Sequence, residues 1–329
     1  MTTAVGSRFE HVIGAEGLLA IHIRSGEIRL CAVDGDVARV RDINDHDLGD
    51  MLALEATEGS LSLRSGRGLE IVFGPRGARG GGRHTPDLEI ELPRRATVVI
   101  EAASGDIAAD GLRGDQRYRT ASGDVSLRTV SGKLSVEVVS GDVDIVAIDT
   151  AEIVARTVSG DLALRAASLT SVQATTTSGD LKIAGRFTGA GPFRIETVSG
   201  DALLAPAGDV RIDMTSVTGD LSSDFEGPSV SHGRRSLTIG QTGPAVTFRS
   251  MSGDLRVVRP VAVTDPSAST AAPATATASH AIAAAYEDAR LRILRSLERS
   301  EIDVAEAGRR LETLDNGEPG ALPADVAHA

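Results

Sequence analysis

The chain has 329 residues, of which 41% are hydrophobic and 24% are charged, so it can bury a large core and is not disordered throughout. Aromatic residues make up only 2% and Trp is absent, whereas Gly occurs 36 times, so the core must consist of Val, Leu, Ile and Ala in thin layers. The formal charge of -12 disfavours nucleic acid and anionic lipid as partners.

The single cysteine, Cys31, excludes internal disulfides and cysteine-rich zinc sites, and we expect a partly buried thiol in a reducing compartment. The first residues, MTTAVGSRFEHVIGAEG, lack a basic start followed by an apolar stretch, and no apolar run is long enough to span a membrane. We therefore expect a cytoplasmic protein without a membrane span.

Residues 1–14 form a separate N-terminal segment in this interpretation, and strand-like alternation begins near residue 15. Leu18 and Ile21 precede the turn Ser25-Gly26-Glu27, and Ile28 and Leu30 follow it. This pattern predicts a degenerate beginning of a repeat that becomes regular after residue 100.

The acidic run RDINDHDLGD, residues 41–50, is the first candidate for a metal site. Counted from Asp42, an EF-hand loop needs Gly at position six and a carboxylate at position twelve, where this chain has Asp47 and Ala53. The EF-hand pattern therefore fails, and we interpret the run as a solvated turn, with an adventitious metal site as the alternative.

The tripeptide Ser-Gly-Asp recurs through the second and third hundred residues. Its glycines, with Thr218-Gly219-Asp220 as a variant, are Gly105, Gly123, Gly141, Gly160, Gly179, Gly200, Gly219 and Gly253. Gly114 and Gly132 fall halfway between the first three, and apolar residues alternate with polar ones after each turn. Because Gly reaches the positive φ of a tight turn and a period of two indicates a half-buried strand, each half-unit of about nine residues predicts one turn and one strand.

Two strands and two turns close one coil of 18 to 19 residues, so we predict an all-β fold, a flattened β-solenoid of two facing sheets. The repeat glycines then form one edge, and Gly114 and Gly132 form the other. One residue before each Ser lies a further apolar column, at Val130, Val139, Val158, Val198 and Val217. The longer stretch 226–248 is interpreted as an enlarged coil with a loop.

The repeat also predicts a column of carboxylates on the first edge. Its members are Asp106, Asp124, Asp142, Asp161, Asp180, Asp201 and Asp220. Stacked like charges invite cations or basic partners, but we expect each Asp to accept a hydrogen bond within its own turn. Calcium-binding RTX repeats require G-G-x-G-x-D, which this chain lacks, so we predict no metal site and no cofactor.

The strand pattern ends near residue 258, and the composition then changes. Residues 259–280, rich in Ala, Thr, Ser and Pro, predict a flexible linker. Residues 281–315 predict a helical hairpin, and residues 316–329 predict a disordered tail. The hairpin needs a partner surface for its apolar stripe. The stripe includes Ile293, Leu294, Leu297, Leu311 and Leu314.

The Ser-Gly-Asp-apolar repeat, which opens after the strand Leu88–Pro93, resembles the DUF4097 family of putative adhesins, also called Toastrack-like β-solenoids, over residues 15–258. The segment RILRSLERSEIDVAEAGRRLETL, residues 292–314, resembles SHOCT-like helical hairpins, although Ser300 stands where they have Gly. The resemblance implies a bacterial, non-enzymatic protein that serves protein contacts, with envelope-stress systems among its settings, and a tail that oligomerises or docks.

The predicted function is therefore a protein-interaction scaffold whose partner the sequence does not name, with self-association through the C-terminal helices. No catalytic residues are predicted, because the histidines are scattered and no nucleophile elbow occurs. Two alternatives stay open: a structural polymer of the bactofilin type, and a polysaccharide-active β-helix enzyme with paired Asp on a solenoid face.

Overall fold

The structure is a computed structural model that describes residues 2–5, 7–65, 85–225, 229–231 and 234–260. The chain divides into two units, Met1–Val261 and Ala262–Ala329, and every described residue belongs to the first unit. The predicted helical hairpin with its apolar stripe, the tail, and all but the first two residues of the predicted linker lie outside the described residues.

Strands account for nearly all regular structure in the described residues, beside one four-residue helix, α1 (Leu48–Met51). The strands before the regular repeat are β1 (Thr2–Val5), β2 (Arg8–Val12), β3 (Leu18–Ser25), β4 (Ile28–Val33), β5 (Val37–Asp42), β6 (Leu52–Thr57), β7 (Ser60–Ser65) and β8 (Leu88–Pro93). Those of the regular repeat are β9 (Thr97–Ser104), β10 (Ile107–Asp110), β11 (Gln116–Ser122), β12 (Val125–Ser140), β13 (Val143–Ser159), β14 (Leu162–Ser178), β15 (Leu181–Phe187), β16 (Phe193–Ser199) and β17 (Ala202–Pro206). The last group is β18 (Val210–Ser216), β19 (Leu221–Ser223), β20 (Ser229–Ser231), β21 (Arg234–Ile239), β22 (Ala245–Ser252) and β23 (Leu255–Val257).

Successive coils pair in parallel and build two ladders of strands, which confirms the predicted β-solenoid. In the first ladder, whose strands lead into the Ser-Gly-Asp turn, one position is occupied in turn by Gln116, Leu134, Ile153, Val172 and Phe193. In the second ladder, whose strands follow the turn, the corresponding position is occupied by Val125, Val143, Leu162, Leu181 and Ala202. The inward-facing aliphatic side chains of both ladders form one continuous core.

The repeat glycines lie between strands, at the edge where the first ladder passes into the second. Gly160 has φ 139° and Gly179 has φ 138°, a backbone conformation that side chains disfavour. A Cβ on Gly160 would also overlap the carbonyl oxygen of Gly141 in the preceding coil, and the same relation joins Gly179 to Gly160. Glycine is therefore required here both by its own backbone conformation and by the close approach of successive turns.

The second edge differs from the prediction of a separate turn in every coil. Gly114 lies between β10 and β11, but Gly132 lies inside β12, a strand of 16 residues that continues through this edge. Register shifts on either side of Val130 mark irregularities of the bulge type, which let the strand bend without ending. β13 and β14, with 17 residues each, pass through the same edge.

At the C-terminal end the order of coils in space departs from their order in the chain. β22 pairs with both β16 and β18, and β23 pairs with both β17 and β19. The coil of Gly253 thus lies between those of Gly200 and Gly219. The predicted enlarged coil over residues 226–248 is wrong, because β21 pairs antiparallel with β18, and β20 pairs antiparallel with β21, outside the last coil.

The N-terminal end is built in a similar way. β7 and β8 pair with β3 and β4 and form the outermost coil. β6 and β5 then pair antiparallel with β7 and β8, and β2 and β1 extend the sheet from β5. The segment that we set apart as residues 1–14 therefore contributes two strands to this end. Both ends of the solenoid carry antiparallel strands, which occupy backbone groups that a bare parallel coil would leave open.

A column of side chains three residues before the turn glycines faces the interior. It includes Thr157, Thr176, Thr197 and Ser250, each at most 9% exposed. Their hydroxyl groups have no hydrogen-bond partner among the described residues. Two other members differ, because the Thr120 hydroxyl donates to the Ser122 carbonyl oxygen at 2.9 Å and Val138 has no hydroxyl.

We predict that Gly160→Ala lowers the free energy of unfolding by more than about 1 kcal/mol, through backbone strain and overlap with Gly141. Gly35→Ala is the matched control, because Gly35 has φ 129° but no neighbouring atom within 4 Å of its added Cβ. Thermal and urea unfolding followed by circular dichroism measure both variants. An effect of Gly160→Ala no larger than that of Gly35→Ala would show that close stacking of the turns is not required.

We predict that Thr176→Val raises the free energy of unfolding by about 1 kcal/mol, because it removes a buried hydroxyl without a partner and keeps the side-chain shape. Thr120→Val should not stabilise the protein, since it removes the hydrogen bond to Ser122. Urea unfolding of both variants is the measurement. Destabilisation of equal size in both would contradict the prediction.

Candidate functional site

The carboxylates of the repeat form a continuous ladder along the turn edge. In seven successive coils, an Oδ1 atom accepts the backbone N–H of the Asp in the next coil at 2.8 to 3.0 Å. In spatial order the ladder is Asp106, Asp124, Asp142, Asp161, Asp180, Asp201, Asp254 and Asp220.

Our prediction that each Asp accepts a hydrogen bond within its own turn is therefore wrong: the acceptor and its donor lie in neighbouring coils. The reason is the parallel register, which places each turn directly over the preceding one. The sequence prediction also omitted Asp254, although Ser252-Gly253-Asp254 repeats the motif. In the structure Asp254 lies between Asp201 and Asp220 in the ladder.

All eight ladder carboxylates are exposed, and their like charges lie one coil apart. Within the described residues, only Asp220 has a cationic side chain in ion-pair contact: Arg235 Nη2 lies 2.8 Å from its Oδ1. The guanidinium group of Arg235 also donates to the carbonyl oxygen of Gly219 in the same turn. The remaining seven carboxylates form no ion pair with the described residues.

The outer surface of the first ladder is different, because its charges alternate in sign from coil to coil. Glu101, Arg119, Glu137 and Arg156 follow one another, with Arg119 2.9 Å from Glu137 and the other neighbours at 3.7 and 3.9 Å. Glu196 and Arg249 continue the pattern at 3.9 Å. This surface compensates its own charge, whereas the turn edge does not.

A column of exposed apolar side chains lies beside the Asp ladder, two residues before each turn glycine. Val139, Val158 and Val198 are 53%, 48% and 44% exposed, and Met251 and Val217 are 60% and 78% exposed. We predicted four of these five; Met251 was missed although it lies two residues before its turn glycine, as the four Val residues do. Val130, which we placed in the same column, is instead fully buried near the second edge.

The acidic run at residues 41–50 forms a hydrogen-bonded turn. Asp42, which is only 1% exposed, accepts the backbone N–H groups of Asn44 and His46 at 3.0 Å and that of Asp87 at 3.1 Å. Asp47 caps α1 by accepting the N–H of Gly49. The expectation of a solvated turn is thus wrong for Asp42, whose carboxylate is occupied by backbone donors.

Cys31 is exposed, contrary to the partly buried position we expected. Partial desolvation, followed by the negative charges of Glu89, Asp110 and Glu91, raises the pKa of its thiol. A raised pKa reduces the thiolate fraction at neutral pH, so these surroundings do not activate Cys31 as a nucleophile.

Across the part of the chain that the structure describes, no group of three or more His, Cys, Asp or Glu side chains has an arrangement suited to a metal ion. Within the same residues, no helix is long and apolar enough to cross a membrane. The predicted docking stripe at Ile293, Leu294, Leu297, Leu311 and Leu314 lies outside the described residues.

Comparison with known proteins gives a family match and similar structures. The model of the family described as Toastrack DUF4097 matches residues 18–258. A putative adhesin from Bacteroides fragilis is 12% identical, with 76% of this chain and 95% of that chain covered and a TM-score of 0.41. A putative cell adhesion protein from Clostridium sporogenes is 10% identical, with 78% and 100% covered and a TM-score of 0.25. No curated protein matches the sequence.

We predict that Asp142→Asn changes stability little, because Asn keeps an Oδ1 acceptor for the N–H of Asp161 and removes one repelling charge. Asp142→Ala should cost about 1 kcal/mol through loss of that acceptor. We also expect the melting temperature to be unchanged by millimolar calcium at constant ionic strength. A calcium-dependent rise of more than a few degrees, lost in Asp142→Asn/Asp161→Asn, would indicate that the ladder binds cations.

Proposed function

Because the chain belongs to the Toastrack DUF4097 family, we propose that it is a non-enzymatic scaffold that binds another protein along the surface of its solenoid. The observation that carries this proposal is the column of exposed apolar side chains at the turn edge. Contiguous exposed apolar surface is typical of protein interaction sites, and solenoids bind their partners along extended surfaces.

From the family resemblance we further propose a role in adhesion or in envelope stress. We also propose that the protein is cytoplasmic, that it does not bind nucleic acid, and that it self-associates through the C-terminal helices. For self-association, light scattering should give more protomers per particle for the full chain than for a chain that ends at residue 260.

The arrangement of the solenoid ends favours the scaffold over a bactofilin-like polymer. End-to-end assembly requires an open parallel coil at each end, with backbone groups free to pair with the next molecule. Here β5 and β6 cover the outermost N-terminal strands, and β21 covers β18 at the other end. These antiparallel strands support a discrete particle.

Affinity purification of the tagged full chain from its own cells, after brief cross-linking, tests the proposal. We expect a protein to be enriched over a tag-only control and to bind again when both proteins are purified. The same protein with Gly160 replaced by Val is the folding control: it destabilises the solenoid, so the partner should be lost with the fold.

Failure of every enriched protein to bind in purified form would contradict the scaffold function. Release of sugars from polysaccharides by the purified chain would favour the β-helix enzyme instead. Because these two outcomes are measured on the same preparation, they separate the two classes of function directly.

A further inference from the structure

The apolar column and the Asp ladder run side by side along one edge of the solenoid. We define the Val–Asp edge as the residues two before and one after the turn glycine in seven successive coils. Its outward column is Ala121, Val139, Val158, Thr177, Val198, Met251 and Val217, and its ladder is Asp124, Asp142, Asp161, Asp180, Asp201, Asp254 and Asp220. The edge therefore presents a hydrophobic row and an acidic row at the same spacing.

The acidic row carries negative charge that the described residues leave largely without ion pairs. In each internal coil the Oδ1 atom is engaged by the backbone N–H of the next coil, and no hydrogen bond to Oδ2 is formed by the described residues. The neighbouring outer surface, in contrast, neutralises itself through pairs such as Arg119 with Glu137. Uncompensated negative charge beside exposed apolar surface complements a basic and apolar partner.

The last coil shows a guanidinium group bound to this edge. There Arg235 contacts the Asp220 carboxylate and the Gly219 carbonyl oxygen, two acceptors that no next coil engages among the described residues. In the internal coils Oδ1 accepts the N–H of the next coil and the turn carbonyl lies against the next turn glycine, as Gly141 does against Gly160, so Oδ2 is the acceptor left for a partner. An arginine suits a row of such acceptors better than a lysine, because its planar group donates in two directions at once.

We infer that the Val–Asp edge binds an amphipathic, arginine-rich α-helix of a partner protein, which lies along the solenoid axis. This inference rests on the proposed scaffold function and names the partner's chemistry. One helical turn rises about 5.4 Å and one coil about 4.8 Å, so a helix places nearly one residue per coil on each row. An extended strand repeats its side chains every ~6.7 Å and loses register with the coils faster.

Over the three steps from Val139 to Val198, a helix departs from the coil spacing by only about 2 Å, which long Arg and Leu side chains can absorb. In this arrangement Leu side chains would cover Val139, Val158 and Val198. Arg side chains would reach Asp142, Asp161 and Asp180. The polar Thr177 interrupts the apolar row in the middle of this contact.

The test uses the full chain and a fluorescein-labelled synthetic peptide of about 18 residues, which makes about five helical turns and so covers the coils from Val139 to Val198. Leu and Arg occupy one helical face of the peptide, and Ala and Gln occupy the rest. Fluorescence anisotropy at low salt measures the dissociation constant. A peptide with Glu in place of every Arg is the first control.

The edge variant is Val158→Ser/Asp161→Asn, which keeps the Oδ1 acceptor for Asp180. The matched control is Ile148→Ser/Asp149→Asn at the opposite edge, where Ile148 is 40% exposed. Both variants remove one apolar side chain and one charge, so their net charge is identical. Circular dichroism melts verify that both fold.

We expect the edge variant to weaken binding of the Arg peptide at least about fivefold, and the opposite-edge variant to change it less than about twofold. Added salt should weaken binding, and the Glu peptide should not bind. Equal weakening by the two variants, equal binding of the Glu peptide, or no binding of the Arg peptide would overturn the inference.

Failure of this inference is distinguishable from failure of the proposed function. A natural partner that binds the wild-type chain and the edge variant equally would leave the scaffold function intact and overturn the edge assignment. Edge-dependent binding of the peptide, with no natural protein bound by the purified chain, would support the edge and contradict the scaffold function.

Discussion

The close stacking of successive Ser-Gly-Asp turns is the interaction on which the rest of this molecule depends. Each turn approaches the preceding one so closely that a Cβ on Gly160 would overlap the Gly141 carbonyl, and the same approach brings the Asp142 carboxylate within 2.8 Å of the Asp161 N–H. The glycine makes the approach possible, and the hydrogen bond holds it. In-register parallel strands then follow on both sides of the edge.

This stacking also places like charges in a row, which is electrostatically unfavourable for an isolated ladder. The backbone N–H donors offset part of that repulsion, because each stabilises the negative charge of the carboxylate oxygen that accepts it. What remains is an uncompensated negative edge beside the exposed side chains of Val139, Val158 and Val198. The feature that stabilises the fold therefore also creates the surface best suited to a basic, apolar partner.

The ends of the solenoid obey a different constraint, since the last parallel coil has no further neighbour. Antiparallel strands pair with the outermost coil at both ends: β5 and β6 at one end, and β21, which pairs with β18 but, among the described residues, not with β19, at the other. At both ends a coil is inserted out of chain order beneath this cover. Protection of the open backbone groups, rather than continuation of the repeat, thus determines the terminal topology.

The sequence by itself determined the coil, because Gly and alternating apolar residues encode a turn and a half-buried strand locally, as in Gly160 followed by Leu162 and Leu164. It also placed most of the Asp ladder and of the Val column in register. Only the tertiary structure decided which coils are neighbours, so Met251 and Asp254 joined the edge between Val198 and Val217. Pairing between coils depends on backbone hydrogen bonds between distant segments, and a repeat whose units are nearly identical carries no local signal for that choice.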